Sequence, residues 1–179
     1  MTHAANRTAD AVAVLGLSAA AMRGKLLIGL LALPCALGRS GRRAQKREGD
    51  GATPRGQWRP VRVLYRSDRV PRPATALPVT AIRRDDGWCD AAADRNYNRL
   101  VRLPYPASAE RLHRDDRVYD LIVVLDHNMR PRQRGLGSAI FVHLARPGYS
   151  PTEGCIALRA QDLRLVLARL SRRTRIGVS

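Results

Sequence analysis

The sequence predicts a mainly β fold with one short helix near its C-terminus, and three observations support this fold class. Eleven prolines and fourteen glycines among 179 residues favour a turn-rich β protein over a helix bundle. Residues 118–125 and 138–144 are apolar, β-rich runs typical of buried strands. Only residues 161–170 have the apolar spacing of a helix face, which consists of Leu163, Val166, Leu167 and Leu170.

The N-terminal segment has two interpretations. Residues 11–22 and 26–38 are apolar runs divided by Arg23, Gly24 and Lys25, and each is shorter than the roughly 18–20 residues of a membrane-spanning helix. They predict either a β-hairpin that turns at residues 23–25 or, with residues 1–7 ahead of them, a signal-like segment. Asp10 beside the first run favours the hairpin. We therefore divide the chain into an N-terminal extension or weak signal-like segment, 1–23, and one domain, 24–179, without a stable membrane span.

The elements between these ends are predicted in order along the chain. Residues 38–56 form a long exposed loop rich in glycine and charge, and residues 61–65 form a short strand. Residues 71–78 contain three prolines and are expected to run extended along the surface. Residues 85–90 are expected to form an acidic turn that holds Trp88. Residues 174–178 form a final strand.

The charge of the chain limits its partners. The formal net charge is +17, and of the 32 basic residues only Lys25 and Lys46 are lysines. Such a charge suits nucleic acid, anionic lipid or an acidic polymer. The arginines are scattered, no run of five basic residues occurs, and aromatic residues do not alternate with them. The sequence therefore predicts no specific nucleic-acid binding.

The three cysteines, Cys35, Cys89 and Cys155, have no metal-ligand spacing. A disulfide between Cys35 and Cys89 would be compatible with an oxidising compartment, but at least one thiol must stay outside any intramolecular pair.

Cys155 and His143 are the candidate catalytic residues. Cys155 follows the glycine-containing run PTEG and precedes an apolar strand, while His143 lies near the end of the strand at residues 138–144. The intervening loop can bring the imidazole back to the thiol, which is the minimum for acyl transfer by a thiolate. Main-chain N–H groups at Gly154 and Cys155 could face a developing oxyanion. The same spacing is also compatible with a non-catalytic site, in which the cysteine is a buried core residue and the histidine ring is hydrogen-bonded for structural reasons.

Several separated segments resemble the L,D-transpeptidase (YkuD-like) family. GSAIFVHLARPGYSPTEGCIAL resembles its catalytic motif, with Thr152, Gly154 and Cys155 matching the turn and His143 matching the histidine. KREGDGATPRG resembles the family's Lys…Gly-Asp…Thr-Pro-x-Gly loop. The runs DDGWCD, NYNRLVRLPYP and YDLIVVLDHN are similar to a short, single-domain bacterial branch. The resemblance covers residues 24–179 and implies a mainly β sandwich or barrel with a short C-terminal helix.

The chain departs from the family pattern at three points. Glu153 occupies the usual place of a histidine, Ala157 replaces a usual Arg or Asn, and the spacing from His143 to Cys155 is shorter than usual. These changes leave the third, orienting group undefined. His127, at the end of the preceding strand, is a candidate for that group and equally a candidate surface residue.

The resemblance implies an envelope enzyme that acts on peptidoglycan stem peptides, needs no metal or organic cofactor, and is inhibited by carbapenems. Cys155 would attack the carbonyl of the third, diamino-acid residue, and a second stem's amine would resolve the thioester into a 3–3 cross-link. The alternatives are an L,D-carboxypeptidase or endopeptidase that uses water, and a non-catalytic basic module that binds cell wall or nucleic acid.

Overall fold

The structure, a computed structural model, describes residues 8–179 and confirms the mainly β fold. Its first eight strands are β1 (Ala11–Gly16), β2 (Arg23–Ile28), β3 (Leu31–Ala36), β4 (Arg42–Arg43), β5 (Thr53–Pro54), β6 (Gly56–Trp58), β7 (Pro60–Tyr65) and β8 (Val79–Ala81). The others are β9 (Asp86–Cys89), β10 (Leu100–Arg102), β11 (Ala109–Arg111), β12 (Leu121–Leu125), β13 (Phe141–Leu144), β14 (Ile156–Leu158) and β15 (Arg175–Val178), with helix α1 (Ala160–Leu167) between β14 and β15.

Ten strands form one sheet in the order β6-β15-β1-β2-β3-β14-β13-β12-β7-β8. Val12 of β1 and Val63 of β7 are six places apart in this order, yet both belong to one buried apolar cluster. Strands so far apart can share a core only if the sheet curls around it. The sheet is therefore curled, as a sandwich or barrel requires.

The C-terminal helix seals this core. Its apolar side chains Leu163, Val166 and Leu167 are buried in the same cluster as Ile156 of β14. Leu170 is fully buried too, although the helix ends three residues before it. The predicted helix at residues 161–170 is confirmed, with its last turn replaced by an irregular segment. Within residues 8–179, the structure contains no helix with the length and apolarity needed to span a bilayer.

The other face of the sheet carries a second core and a small sheet of order β10-β9-β11. Trp88 of β9 packs edge-on against Phe141 of β13, with ring centroids 5.1 Å apart. The prediction of an acidic turn at residues 85–90 is wrong for most of this range, because residues 86–89 form the central strand of the small sheet. Asp86 still closes a turn, since its carboxylate accepts the Arg83 N–H at 2.8 Å before the strand begins.

The N-terminal strands form two hairpins and not the single predicted one. The chain turns at residues 17–22 and again at Gly29 and Leu30, where Gly29 has φ +56. Gly24 lies inside β2, and a Cβ there would stand 2.1 Å from the Leu15 carbonyl oxygen. The glycine therefore allows close strand approach and does not make a turn. β1, within the predicted extension, is an interior strand between β15 and β2. The signal-like residues 1–7 lie outside the described residues.

Residues 38–56 are more ordered than the predicted exposed loop. They contain the β4–β5 pair, and Ala52 and Thr53 are fully buried. A buried ion pair between Lys46 and Asp50 stabilises the tip of the loop. The Asp50 carboxylate also accepts the Ala52 N–H at 2.9 Å. This segment packs against the turn that carries Cys155, and the Arg39 N–H donates to the Thr152 carbonyl at 2.8 Å. All three cysteines are buried free thiols, so the Cys35–Cys89 disulfide is not formed.

Candidate active site

The register of β13 and β14 places the two candidate catalytic residues on one face of the sheet. Val142 lies beside Ile156 in this parallel pair, so Cys155 lies beside Phe141. Because side chains alternate along a strand, Phe141 and His143 point to the same side, and Cys155 shares it. The Phe141 N–H approaches Cys155 Sγ at 3.4 Å, which confirms that the sulfur lies against this strand.

The Cys155 thiol is neutral in the resting site. Its S–H donates to the Ala139 carbonyl at 3.2 Å, and its side chain is buried. Burial raises the thiol pKa to about 12, and the nearby Glu110 carboxylate acts in the same direction. Any reaction at this thiol would need a base, because almost no thiolate exists at neutral pH.

The imidazole of His143 is in the tautomer that is protonated at Nδ1. Nδ1 lies 2.9 Å from the Leu144 carbonyl oxygen, which can only accept, so Nδ1 carries the proton and Nε2 keeps its lone pair. Burial lowers the pKa of His143 to about 4, so the ring is neutral at pH 7. Tyr119 fixes the ring plane by an edge contact at 5.3 Å. No hydrogen bond joins the imidazole to Cys155 Sγ among the residues described.

Thr152 and Gly154 build the turn before the nucleophile. The Thr152 hydroxyl donates to the Cys155 carbonyl at 2.6 Å and accepts the Gly154 N–H at 3.2 Å. Thr53 donates a second, longer hydrogen bond of 3.4 Å to the same Cys155 carbonyl. Gly154 has φ +131, and a Cβ there would stand 2.8 Å from the Ala52 carbonyl oxygen, so only glycine fits. Since the Gly154 N–H donates to the Thr152 hydroxyl inside the turn, it is already engaged.

His127 lies apart from the pair. Its ring packs edge-on against Trp58 at 4.6 Å, and Nε2 contacts the Leu136 carbonyl oxygen at 3.0 Å. It does not line the cavity that Cys155 and His143 share, and the partner of His143 Nδ1 is a main-chain carbonyl. Burial lowers the pKa of His127 as well. The structure thus does not bring His127 to His143.

Asn98 is a site residue that the sequence did not single out. Its Oδ1 accepts the Trp88 indole N–H at 2.9 Å and the Ala139 N–H at 3.2 Å. Its Nδ2 donates to the carbonyls of His127 and Asn128, each at 3.0 Å. Asn98 is buried, and it anchors the segment whose Ala139 carbonyl accepts the hydrogen bond from the Cys155 thiol. No motif or spacing in the sequence indicates these contacts.

A cavity of about 490 Å³ opens beside the pair, with Cys155 and His143 among its lining residues. Glu110 lines it and accepts a hydrogen bond of 2.8 Å from the Tyr119 hydroxyl. Burial raises the pKa of Glu110 and also that of Tyr119. The Arg114 guanidinium stacks over the Tyr119 ring at 5.1 Å. Neither Glu110 nor Arg114 belongs to a spacing pattern that sequence reasoning could detect.

Ser138 also borders the cavity. It is 7% exposed, and its hydroxyl has no hydrogen-bond partner among residues 8–179. Within the same part of the chain, no cluster of His, Cys, Asp and Glu could hold a metal ion. The fold and the site together define a mainly β protein in which a neutral thiol and a neutral imidazole face one cavity.

The comparisons with known proteins give the family. The sequence profile of YkuD, the L,D-transpeptidase catalytic domain, matches residues 22–178. Because the match spans most of the chain, the protein belongs to this family of L,D-transpeptidase catalytic domains. No curated protein matches the chain.

One similar solved structure is that of Mycobacterium tuberculosis L,D-transpeptidase 1, with 14% sequence identity and a TM-score of 0.37. The alignment covers 93% of this chain and 62% of the mycobacterial chain.

Proposed function

We propose that the protein is a peptidoglycan L,D-transpeptidase that forms 3–3 cross-links through a thioester at Cys155. The observation that carries this proposal is the shared cavity of Cys155 and His143, with Nδ1 of the histidine fixed and Nε2 free. A neutral imidazole with a free lone pair is the form that can remove a thiol proton. Membership of the L,D-transpeptidase family supports the acyl transfer.

The first half-reaction transfers an acyl group to sulfur. His143 Nε2 takes the Cys155 proton as Sγ attacks the carbonyl carbon of the third, diamino-acid residue. The C–N bond to the terminal D-Ala breaks, and the imidazolium returns the proton to the departing amine. The products are the thioester and free D-Ala, and the imidazole is neutral again.

The second half-reaction releases the acyl group to an amine. The side-chain amine of a second stem attacks the thioester carbon, and Nε2 accepts the proton that the new amide loses. The C–S bond breaks, and the proton passes to the Cys155 sulfur. Water in place of the amine would give the carboxypeptidase or endopeptidase outcome, so the acceptor decides between transfer and hydrolysis.

The oxyanion of each step needs donors that are not already engaged. The Thr152 hydroxyl accepts the Gly154 N–H and donates to the Cys155 carbonyl, which fixes the turn before the nucleophile. We assign to Thr152 and Gly154 a supporting role, and we assign oxyanion stabilisation to the Cys155 N–H and the Ser138 hydroxyl. Cys155 and Ser138 both line the cavity, and the buried Ser138 hydroxyl makes no hydrogen bond within the described residues.

The cellular setting is part of the proposal. Stem peptides are assembled into the wall outside the cytoplasm, so we place the enzyme in the periplasm or cell envelope. The boundary at residue 23 and an export signal within residues 1–23 remain predictions. Fusion of residues 1–40 to a reporter that is active only after export tests the export signal. A reporter that stays in the cytoplasm would contradict that signal.

Intact mass after incubation with a carbapenem tests the nucleophile. We expect one adduct on the wild type and none on Cys155→Ala, because ring opening acylates the sulfur. Cys35→Ala and Cys89→Ala are matched controls, since both thiols are buried, and each should keep the adduct. His143→Ala should slow adduct formation about 100-fold or more, the usual loss for a general base.

A disaccharide-tetrapeptide substrate then separates the reaction outcomes. A cross-linked dimer with release of D-Ala supports the transpeptidase, whereas a tripeptide alone indicates the hydrolase. Absence of a carbapenem adduct, with the free thiol confirmed by denatured alkylation, would overturn the catalytic proposal and favour a binding module.

A further inference from the structure

A second concave surface lies away from the catalytic cavity. One concavity of about 420 Å³ has Leu64, Trp88 and Val124 on its floor. A neighbouring concavity shares Arg62 and Arg130 with it, so the two form one continuous depression, here called the arginine groove. None of the described residues that line the groove also lines the catalytic cavity.

Arginine side chains dominate the groove. Six arginines line it: Arg59, Arg62, Arg99, Arg130, Arg132 and Arg172. Asp126 is the one acidic residue among the described lining residues, and its carboxylate already accepts the Arg59 N–H at 2.7 Å. Within residues 8–179, none of the six guanidinium groups makes an ion pair or a side-chain hydrogen bond. The groove therefore holds a positive charge that the protein itself does not neutralise.

Arg132 shows that this charge is more than an exposed surface feature. Its Nε atom is buried and has no hydrogen-bond partner among the described residues. Burial and the charge of Arg99 both lower the pKa of Arg132. A buried donor without an acceptor and two repelling cations each raise the free energy of the folded state. A bound oxyanion would offset the repulsion between the Arg99 and Arg132 cations.

The floor of the groove indicates the type of anion. Leu100, which is 37% exposed, and the half-buried Met129 offer apolar surface beside the guanidinium groups, which suits the C–H faces of sugar rings. Trp88 is only 5% exposed, and its indole N–H is engaged by Asn98. Because single-stranded nucleic acid binds by stacking bases on exposed aromatic rings, the groove lacks what that ligand needs. Its concave shape also does not match a flat bilayer.

We propose that the arginine groove binds an anionic glycan chain, at a site separate from the catalytic cavity. Guanidinium groups bind carboxylates and phosphates in a two-pronged geometry, and several along one groove fit charges repeated along a polymer. The anion is supplied either by the carboxylates of peptidoglycan strands or by the phosphates of another glycan polymer. The bound glycan would hold the protein to the wall while Cys155 reacts in the separate catalytic cavity.

Fluorescence anisotropy with labelled polymers tests this inference at 150 mM salt. The probes are soluble peptidoglycan strands, phosphorylated dextran, neutral dextran, and an oligo-dT matched in charge to the phosphorylated dextran. We expect at least one anionic glycan to bind at least tenfold more tightly than oligo-dT and neutral dextran, and the tighter glycan identifies the source. Equal or tighter binding of oligo-dT, or no binding of either glycan, would overturn the proposal.

A pair of double variants separates the groove from total charge. Arg62→Gln/Arg130→Gln should weaken glycan binding at least tenfold. Arg83→Gln/Arg84→Gln removes the same charge from exposed positions outside the groove and should weaken it less than twofold. An equal loss in both variants would show binding by net charge alone and would refute a groove site.

The carbapenem adduct keeps this inference independent of the proposed function. The groove variant should acylate at the wild-type rate, which also shows that it folds. Glycan binding without any adduct in the wild type would leave the groove standing and refute the catalytic proposal. An adduct without glycan binding would support the catalytic proposal and refute the groove.

Discussion

At the scale of the residue, the site depends on two side chains that burial keeps neutral. Burial raises the pKa of Cys155 to about 12 and lowers that of His143 to about 4. Desolvation disfavours any charged form, and Glu110 opposes a thiolate further. The resting site is therefore a thiol beside an imidazole and not a preformed ion pair. In the proposed reaction, the proton moves only when a substrate carbonyl is in place to receive the sulfur's electrons.

This neutral resting state predicts slow alkylation of Cys155 by iodoacetamide at pH 7. The rate should rise about tenfold per pH unit up to pH 10 without a plateau, since the thiolate fraction grows in that proportion below the pKa. Peptide mapping by mass spectrometry distinguishes Cys155 from the two other buried cysteines. A plateau between pH 5 and 8 would instead reveal a thiolate–imidazolium pair.

At the scale of the element, Asn98 joins three parts of the chain that the sequence separates. It bonds to Trp88 in β9, to the carbonyls that follow β12, and to Ala139 just before β13. Its φ of 57 is one that asparagine tolerates better than most residues. The contact from Ala139 to the Cys155 thiol extends this link to the turn before β14. Asn98 is thus a positioning residue that acts through main-chain groups.

Asn98→Ala should destabilise the fold and slow acylation. It leaves four main-chain and indole groups without their partner, at a cost of about 2–4 kcal/mol in the free energy of unfolding. Urea denaturation measures this cost, and Asn96→Ala is the control, because Asn96 makes a single side-chain contact to the Tyr105 hydroxyl and should lose about 1 kcal/mol or less.

Acylation separates positioning from stability alone. At low temperature, where both variants stay folded, the carbapenem should acylate Asn98→Ala at least tenfold more slowly than Asn96→Ala. Equal rates would confine Asn98 to a structural role.

At the scale of the whole molecule, stability depends on keeping buried groups uncharged. A histidine whose pKa is lowered in the folded state binds fewer protons than in the unfolded chain. Its contribution to stability is present above about pH 6.5, its ordinary pKa, and is lost as the pH falls towards 4. For Cys155, whose pKa is raised, the contribution is present below about pH 9 and is lost as the pH rises.

The free energy of unfolding should therefore fall by up to about 3 kcal/mol between pH 6.5 and 4 through His143 alone. Burial lowers the pKa of His127 too, so His127 adds to the loss. Urea midpoints across this range measure the effect. His143→Gln should remove most of the dependence of the unfolding free energy on pH, and His127→Gln should remove less of it. A His143→Gln variant with the full wild-type slope would show that its ring titrates normally in the folded state.

Sequence alone determined the class of fold and singled out Cys155 and His143, which the structure places at one cavity. Apolar runs reflect local backbone preferences, so the helix at residues 161–170 and the strands that end at residues 125 and 144 could be predicted. Both strands begin three residues later than predicted, and residues 117–119 form a 3-10 turn before the first of them. The order of separated motifs was sufficient to predict the family that the profile match shows. The turn between the first strands was misplaced, because Gly24 is required by a strand neighbour and not by local geometry.

Only the tertiary structure decided how the pair is supported. The partner of His143 Nδ1 is a main-chain carbonyl, and no side-chain motif can encode it. Asn98, Glu110 and Ser138 come from distant segments, and their roles exist only once the small sheet packs on β13. Clustering of arginines into one groove likewise depends on how loops meet, since the same residues are scattered in the sequence. Local preferences act within a few residues, whereas burial, pKa and charge complementarity depend on neighbours that folding brings together.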